Sequence, residues 1–394
     1  MRVLCVFGQH AYGDEARGLS PEYQAFVPAL SRAGHEVVFF DSWNRRAFTD
    51  LAQLNMELLR TIEEHRPEVL LFVPFLYEVW LETLFAIKNR GDITSICWTT
   101  DDSWKYERQS RFLAPAFHLI TTTYPESFRK YQAEGFPVLL TQWAAPADAL
   151  APPLRAVDCR FPVSFVGMMH GDRRERLERL AERGIHVESF GYGSVNGPVS
   201  VARMREIVRS SVISLNFANS HGDKQIKART FEVPGAGGFL LTEDAPRLER
   251  FYRLGEEMDS FSDDDELEAK IRQYLADPER RDAMAMRGFE RTRDEHTYDS
   301  RLREIFAAAR EAKRFAAPSS DPIFPTMDAA FRTHRVKLRH RVLRSFLVAC
   351  ASLAIGRRRA RRAARRFLFE VSWRLFGKKT YMAAGLPGRL FPND

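Results

Sequence analysis

The stretch from residue 223 to residue 242 combines side chains suited to ligand chemistry in this 394-residue sequence. Lys227 and Arg229 precede Glu232, and the pair Gly237-Gly238 leads into an apolar run. Two cations can bind a diphosphate, a carboxylate can accept bonds from a ribose diol, and glycines let a backbone approach a ligand closely. A helix with a basic surface face, followed by a glycine turn, is the competing interpretation.

A polar loop follows the first apolar run of the chain, which ends at Phe7. The segment from Gly8 to Gly13 lies where a dinucleotide-binding loop would, but it lacks the middle glycine of that fingerprint, so an NAD enzyme is disfavoured. The loop carries side chains that can meet a substrate: His10, Tyr12, Asp14 and Arg17. His10 is a candidate catalytic base, although a histidine in a loop is more often simply exposed or hydrogen-bonded.

A second polar segment, Trp98-Thr-Thr-Asp-Asp-Ser-Trp104, also follows an apolar run. Indole rings stack on sugar faces, and carboxylates accept protons from hydroxyl groups. Asp101 is therefore the favoured candidate base, with Asp102 and Trp104 as acceptor-binding residues. An aspartate that caps the following helix is the alternative explanation.

The segment from Phe165 to Arg174 repeats the order of strand, glycine and helix in the second half of the chain. Gly167 permits close backbone approach, and the N-terminus of the helix that follows offers free N–H groups to a phosphate. Arg173 and Arg174 add full positive charge at the same place.

These segments lie within a regular alternation of strand and helix patterns, which predicts right-handed crossovers and a parallel sheet covered on both faces. In the first half the predicted strands are 3–7, 36–41, 69–73, 94–98, 119–122 and 138–141. In the second half the predicted strands are 163–166, 186–190, 212–217 and 239–242. The predicted helices there are 173–183, 201–210, one near 245–253, 264–276 and 278–293.

Two proline-rich stretches, 144–153 and 316–325, are the predicted linkers. The predicted organisation is an α/β domain at 1–150, a second at 151–316, a linker at 317–330 and a helical tail at 331–394. Two doubly wound domains of this kind are expected to face each other across a cleft lined by the carboxyl ends of their strands.

Charge is divided unevenly along the chain, whose net charge is +7. Residues 331–394 hold 17 Lys and Arg against Glu370 and Asp394, so the first 330 residues carry −8. The four cysteines are widely spaced, which suggests inert thiols in a reducing compartment. Without a recognisable signal peptide or a membrane-spanning stretch, we expect a cytoplasmic protein.

Basic and apolar residues interleave in the predicted tail, which is typical of helices that lie on anionic membrane surfaces. Attachment through 331–379 to the inner face of the cell membrane is the favoured hypothesis. Nucleic acid binding is disfavoured because the tail's leucines and phenylalanines would make no favourable contact with a phosphate backbone. A solvated or self-packing helical hairpin remains open.

The run from Lys227 to Thr242 resembles the donor-site signature of CgeB-like glycosyltransferases. The resemblance to this family extends to four further segments. They are Trp98-Thr-Thr-Asp-Asp, Phe165-Val-Gly167, Ile213-Ser-Leu-Asn216 and Glu295 to Arg301. The resemblance covers roughly residues 1–310. It implies a GT-B fold and a nucleotide-sugar donor held by the second domain. The implied donor-binding residues are Gly167, Arg173, Arg174, Asn216, Lys227, Arg229, Glu232, Gly237 and Gly238.

The resemblance also implies a metal-independent hexosyltransferase reaction with no cofactor, in which Glu232 holds the ribose and Lys227 or Arg229 the diphosphate. A bacterial cell-envelope glycan, lipid-linked or protein acceptor is expected. Related retaining enzymes carry a Glu-x7-Glu motif, but Lys224 occupies its first position here. A sugar-nucleotide epimerase or hydrolase of GT-B shape, or a non-catalytic membrane-associated binding protein, is the alternative.

Overall fold

The computed structural model describes residues 1–220, 223–315 and 326–392. The predicted linker stretch 316–325 lies outside the described residues. The chain divides into two compact units. Unit 1 contains Met1–Thr141 and Leu302–Asp394, and unit 2 contains Gln142–Arg301. The predicted boundaries at 150/151 and 316/317 remain predictions.

The first part of unit 1 is built on a parallel sheet whose described strands run in the order β2-β1-β3-β4-β5-β6. The strands are β1 (Arg2–Phe7), β2 (Glu36–Asp41), β3 (Val69–Phe72), β4 (Thr94–Trp98), β5 (Leu119–Thr122) and β6 (Val138–Leu140). The helices are α1 (Pro21–Arg32), α2 (Leu51–His65), α3 (Leu81–Asn89), α4 (Asp102–Lys105), α5 (Arg111–Leu113) and α6 (Pro125–Ala133). Strands β3 and β4 are buried along their whole length, as their apolar sequences predict.

Unit 2 contains a second parallel sheet, with its described strands in the order β13-β12-β9-β7-β8. Its strands are β7 (Phe161–Val166), β8 (Glu188–Phe190), β9 (Ser211–Asn216), β12 (Leu240–Glu243) and β13 (Asp259–Phe261). A small antiparallel hairpin is formed by β10 (Asn219–Ser220) and β11 (Asp223–Lys224). The helices are α7 (Arg173–Glu182), α8 (Val201–Arg209), α9 (Arg229–Gly235), α10 (Asp264–Ala276) and α11 (Pro278–Glu295).

Helix boundaries follow the capping chemistry of the sequence. The hydroxyl of Ser20 accepts the Tyr23 N–H at the start of α1, and the Asp263 carboxylate accepts two N–H groups at the start of α10. The predicted helices at 264–276 and 278–293 are confirmed. The helix predicted near 245–253 is wrong, because only a single 3₁₀ turn, Leu248–Arg250, forms there.

The last part of the chain is helical, as predicted. It contains α12 (Tyr298–Arg314), α13 (Met327–His334), α14 (Leu338–Ile355), α15 (Arg357–Phe376) and α16 (Leu386–Leu390). No helix in the described parts of the chain is both long and apolar enough to cross a membrane.

The C-terminal segment is not a free appendage of unit 1. Tyr381 and Ala383 are buried in the same core as Trp80, and both carboxylate oxygens of Glu82 accept the Ala383 N–H at 3.1 Å. The Phe331 ring lies 5.6 Å from that of Trp80. Because these contacts complete the core, removing residues 331–394 would open it to water.

Candidate functional site

Each sheet has a topological switch point at its first strand. In unit 1, β1 lies between β2 and β3, and in unit 2, β7 lies between β8 and β9. Connections leave such a strand in opposite directions, which opens a crevice at the carboxyl ends of the strands. Most of the predicted site residues follow the carboxyl ends of β1, β4, β7 or β9, so the topology positions them at these two edges.

At the switch point of unit 2, the backbone after β7 is packed too tightly for side chains. A Cβ on Gly167 would lie 2.7 Å from a ring carbon of Phe165. Gly191 has a φ of +122°, and a Cβ there would lie 2.1 Å from the Gly167 carbonyl oxygen. The close packing of the chain after β7 therefore requires glycine at positions 167 and 191.

The two predicted arginines of α7 have different surroundings. Arg173 is buried, and its guanidinium donates to the carbonyl oxygens of Met168 at 2.9 Å and Phe217 at 3.1 Å. It joins the chain after β7 to the chain after β9, and burial lowers its pKa. Arg174 is exposed and donates to the Gly193 carbonyl at 2.5 Å. The geometry favours Arg174 over Arg173 for direct contact with an anion.

The predicted diphosphate and ribose residues lie together at the same edge. Arg229 pairs with Glu232 one helical turn away on α9, and its Nε lies 3.3 Å from the carbonyl oxygen of Val166, the last residue of β7. All three predicted side chains, including Lys227, are half-buried. The start of α9 thus brings a guanidinium and a carboxylate to the switch point, next to Gly167.

The remaining predicted donor residues, Asn216, Gly237 and Gly238, make contacts that support the packing of unit 2. Asn216 is buried at the end of β9, and its amide donates to the Thr242 hydroxyl at 2.9 Å. Gly237 and Gly238 precede β12, so they lie at the amino edge of the sheet, opposite the switch-point crevice. A Cβ on Gly237 would lie 2.6 Å from the Ala151 carbonyl oxygen, and one on Gly238 would lie 2.8 Å from that of Val208. These glycines serve close packing at that edge, and their contact with the donor stays a prediction.

Unit 2 also contains an ionic cluster at this edge that the sequence analysis did not identify. Glu243, the last residue of β12, is buried and accepts the Ala218 N–H at 3.0 Å. Its other oxygen lies 3.1 Å from Arg176 and 3.5 Å from Lys224. Lys224, at the first position of the Glu-x7-Glu motif, therefore lies beside a buried carboxylate, where its charge is favourable. In the sequence, Glu243 directly follows the predicted strand 239–242, and this position could have identified it.

The loop after β1 in unit 1 gathers three predicted acceptor residues. Asp14 accepts the Ala16 N–H and lies 3.4 Å from Arg17 Nε, and the Arg17 guanidinium stands over the Tyr12 ring at 5.3 Å. Tyr12 is exposed and has a φ of 59°, which places its ring 6.2 Å from that of Phe75 after β3. These residues form one exposed cluster beside the β1–β3 switch point.

His10 lies in the same loop, near the carboxylate that ends β2. Asp41 accepts N–H groups from Trp43 and Asn44, at 3.2 and 3.1 Å. Burial raises the pKa of Asp41, while backbone hydrogen bonds and His10 act in the opposite direction. Asp41 was not predicted; it fixes the loop beside His10.

Asp101 and Asp102, after β4, have opposite environments. Asp102 is 1% exposed, and its carboxylate accepts bonds from Thr99 at 2.5 Å, Ser110 at 2.6 Å and Tyr131 at 3.2 Å. This network gives Asp102 a structural role, and its contact with an acceptor stays a prediction. Asp101 is exposed and has a left-handed backbone, with a φ of 56°. A non-glycine residue held in that conformation is characteristic of functional sites.

Trp104 and Glu22 complete the edge of unit 1. Trp104 is 38% exposed, and the Arg108 guanidinium stands 4.4 Å above its ring. Glu22, in the first turn of α1, is buried, and burial raises its pKa, with the Lys105 and Asp101 charges acting in opposite directions. Glu22 was missed because its helical position gave no sign that α1 and the β4 loop converge.

Parts of this chain are similar to known glycosyltransferases in sequence or in fold. Residues 173–307 match the model of a family described as glycosyl transferase-like. Sucrose-phosphate synthase from Thermosynechococcus elongatus is 11% identical over 80% of this chain and 100% of that chain, with a TM-score of 0.53. A glycosyltransferase from Rickettsia africae is 9% identical over 80% and 99%, with a TM-score of 0.54. HepE from Anabaena, in complex with UDP-glucose, is 10% identical over 79% and 100%, with a TM-score of 0.51.

At these identities the solved structures establish the fold. The chain has the GT-B architecture of glycosyltransferases, with two Rossmann-like parallel sheets and additional C-terminal helices. Within it, residues 173–307 are glycosyl transferase-like, and they include Lys227, Arg229 and Glu232. The search of curated proteins returned no match.

Proposed function

We propose that this protein is a CgeB-like hexosyltransferase that moves a sugar from a nucleoside diphosphate to an acceptor hydroxyl group. The observation that carries the proposal is the position of Arg229 and Glu232 at the β7 switch point. They lie within the segment that matches the glycosyl transferase-like family. UDP-glucose, the ligand of the HepE complex, is the first donor to test.

Donor binding is assigned to unit 2. Arg229 and Lys227 hold the diphosphate, with Arg174 as a further cation, and Glu232 accepts hydrogen bonds from the ribose hydroxyls. Bidentate bonds from a guanidinium to phosphate oxygens are strong and directional. When the donor binds, the ion pair between Arg229 and Glu232 opens. Arg229 then bonds to the phosphate, and Glu232 accepts hydrogen bonds from the ribose.

The chemical step transfers the anomeric carbon of the sugar. The acceptor oxygen bonds to this carbon, the bond from carbon to the diphosphate oxygen breaks, and the acceptor's proton passes to Asp101 or His10. The cations of unit 2 stabilise the negative charge on the leaving diphosphate, the task that a metal ion performs in other enzymes. The reaction is therefore proposed to be metal-independent.

The acceptor is assigned to unit 1, where Tyr12, Asp14 and Arg17 follow β1 and Trp104 follows β4 at the same edge of the sheet. An aromatic ring with a carboxylate and a guanidinium suits a sugar hydroxyl face. We assign the protein a bacterial cell-envelope role at the inner membrane surface, on the strength of its basic C-terminal helices.

Turnover of UDP-glucose and of GDP- and dTDP-sugars in excess EDTA tests the proposal. Release of nucleotide that depends on an added glycan or lipid-linked acceptor is the expected result. Release without acceptor would indicate a hydrolase, and a changed sugar on intact nucleotide would indicate an epimerase. Activity lost in EDTA and restored by Mn²⁺ would contradict the metal-independent mechanism.

A further inference from the structure

Helix α14 has two apolar faces, and one of them is exposed in the part of the chain that the structure describes. Leu347, Val348 and Ala351 pack against α15 and α16 in a small core with Leu368 and Phe391. The other face carries large side chains that are strongly exposed: Leu338 at 76%, Val342 at 61%, Phe346 at 63% and Leu353 at 91%. Spacings of four, four and seven residues keep these four side chains on one side of the helix. We call them the α14 stripe.

The stripe is larger than folding requires. Scattered exposed apolar residues are normal, but a continuous row of large ones on a helix indicates a binding surface. The helix itself carries four Arg or His residues before Phe346: Arg339, His340, Arg341 and Arg344. Its polar flanks suit a helix that lies along an interface.

Positive charge adjoins the stripe at the turn of the hairpin. Gly356 ends α14, and α15 begins with Arg357-Arg358-Arg359, all exposed. Seven arginines fall between residues 357 and 366. A second copy of this chain would present the same arginines, and the two positively charged hairpins would repel each other. Nucleic acid would pair with the arginines but would leave the apolar stripe exposed to water. An anionic lipid surface satisfies both features, because headgroups pair with the arginines while acyl chains cover the stripe.

The hairpin is fixed to unit 1 and does not hang from it. Arg108 of unit 1 and Glu370 of α15 form an ion pair at 2.9 Å, and the Tyr381 hydroxyl donates to the Arg108 carbonyl oxygen. A surface held in this way fixes the direction in which unit 1 faces whatever it binds.

We propose that the α14 stripe and Arg357–Arg359 form a rigid docking face for an anionic bilayer, with Phe346 and Leu353 entering the boundary between headgroups and acyl chains. This inference refines the membrane attachment in the proposed function and does not depend on the sugar chemistry. Insertion, beyond adsorption by charge, is its distinguishing feature.

The test uses the full chain with Val342→Ser, Phe346→Ser and Leu353→Ser combined. The matched control is Val195→Ser, which removes an equally exposed apolar residue, 92% exposed, from unit 2. Co-sedimentation with phosphatidylglycerol-containing vesicles is measured at low and high salt. The wild type is expected to keep part of its binding at high salt, because apolar burial is not screened. The stripe variant should bind at least about ten-fold more weakly at high salt, and the control should match the wild type.

A second variant, Arg357→Gln, Arg358→Gln and Arg359→Gln combined, should lose the preference for phosphatidylglycerol over phosphatidylcholine. Wild-type binding by the stripe variant at both salt concentrations would overturn insertion. Failure of the wild type to bind any vesicle would overturn the docking face. A dimer that the stripe substitutions convert to monomer, seen by sedimentation velocity without lipid, would assign the stripe to self-association instead.

Calorimetry with UDP-glucose separates this inference from the proposed function. The stripe lies on the surface of unit 1, so the stripe variant should bind UDP-glucose as the wild type does. If neither protein binds a nucleotide sugar but vesicle binding follows the stripe, the docking face stands and the transferase proposal falls.

Discussion

The carboxyl edges of the two sheets have the same topology and different chemistry. In unit 2 the edge pairs its carboxylates with cations, Glu232 with Arg229 and Glu243 with Arg176, and leaves Arg174 exposed. In unit 1 it is built from carboxylates, with Glu22 and Asp102 buried and Asp101 exposed. Cations at a strand edge suit an anionic ligand, whereas carboxylates suit proton acceptance from a neutral one. The difference indicates that a doubly wound sheet supplies the crevice and that its loops determine the ligand.

The largest effect is expected from Asp101→Asn, which removes the candidate base from unit 1. Asparagine tolerates the left-handed backbone of this position, so the loop should keep its shape. Loss of a general base lowers kcat by about 10²- to 10⁴-fold. Donor affinity should not change, because the donor is assigned to unit 2.

Steady-state kinetics with calorimetry on the same samples checks this prediction. Glu126→Gln is the control, since Glu126 is an exposed carboxylate at the start of α6. An unchanged kcat in Asp101→Asn would transfer the role of base to His10.

Arg229→Ala tests the cationic edge of unit 2. Loss of charged hydrogen bonds to the diphosphate should cost about 1.5–3 kcal/mol of donor binding, and Lys227→Ala should cost less. Affinity for the free nucleoside should be almost unaffected. Arg203→Ala is the matched control, because Arg203 forms the same i,i+3 pair, with Glu206, on the surface of α8. Equal losses for nucleoside and nucleotide would contradict the assignment.

Glu232→Gln should weaken the nucleoside and the nucleotide sugar alike, because the ribose is common to both. The expected loss is at most about 1.5–3 kcal/mol, since an amide still accepts one bond and donates another. Titration calorimetry with both ligands measures it, and a thermal melt checks that folding is intact. Wild-type affinity for both ligands would remove Glu232 from the site.

The smallest expected effect is on the thermal stability of unit 1 and concerns the buried carboxyl group of Glu22. Burial raises the pKa of Glu22, so its ionised form is less favourable in the folded state than in the unfolded state. Its contribution to stability is therefore lost as the pH rises above the unfolded value of about 4.3. Glu22→Gln should raise the unfolding temperature at pH 7 and leave it unchanged near pH 4. A lower unfolding temperature at pH 7 would show that the Glu22 charge is stabilising.

Local patterns were sufficient to predict most of the fold. Buried parallel strands such as Val69–Phe72 are continuous apolar runs, and Asp263 and Pro278 mark helix starts in the sequence itself. The strand Asp259–Phe261 was missed because its three residues include two polar side chains. Short edge strands depend on pairing with β12, which local sequence does not encode.

The candidate site was predictable where chemistry follows a strand and unpredictable where it depends on distant contacts. Asp101 and Arg174 come shortly after apolar runs in the sequence, so their edge of the sheet could be deduced. Arg176 and Glu243 are 67 positions apart, and only the fold brings them together. The same holds for the docking of Ala383 on Glu82, 301 positions away, which the basic composition of the tail concealed.

The central claim is that the carboxyl edge of unit 2 binds a nucleoside diphosphate sugar without a metal ion. Titration calorimetry of the full chain with UDP-, GDP- and dTDP-sugars, in excess EDTA, tests it most directly. The account predicts one-to-one binding of at least one of these donors, with affinity reduced about ten-fold or more in Arg229→Ala and retained in Arg203→Ala. Absence of binding to every donor, or binding that Arg229→Ala leaves unchanged, would contradict it.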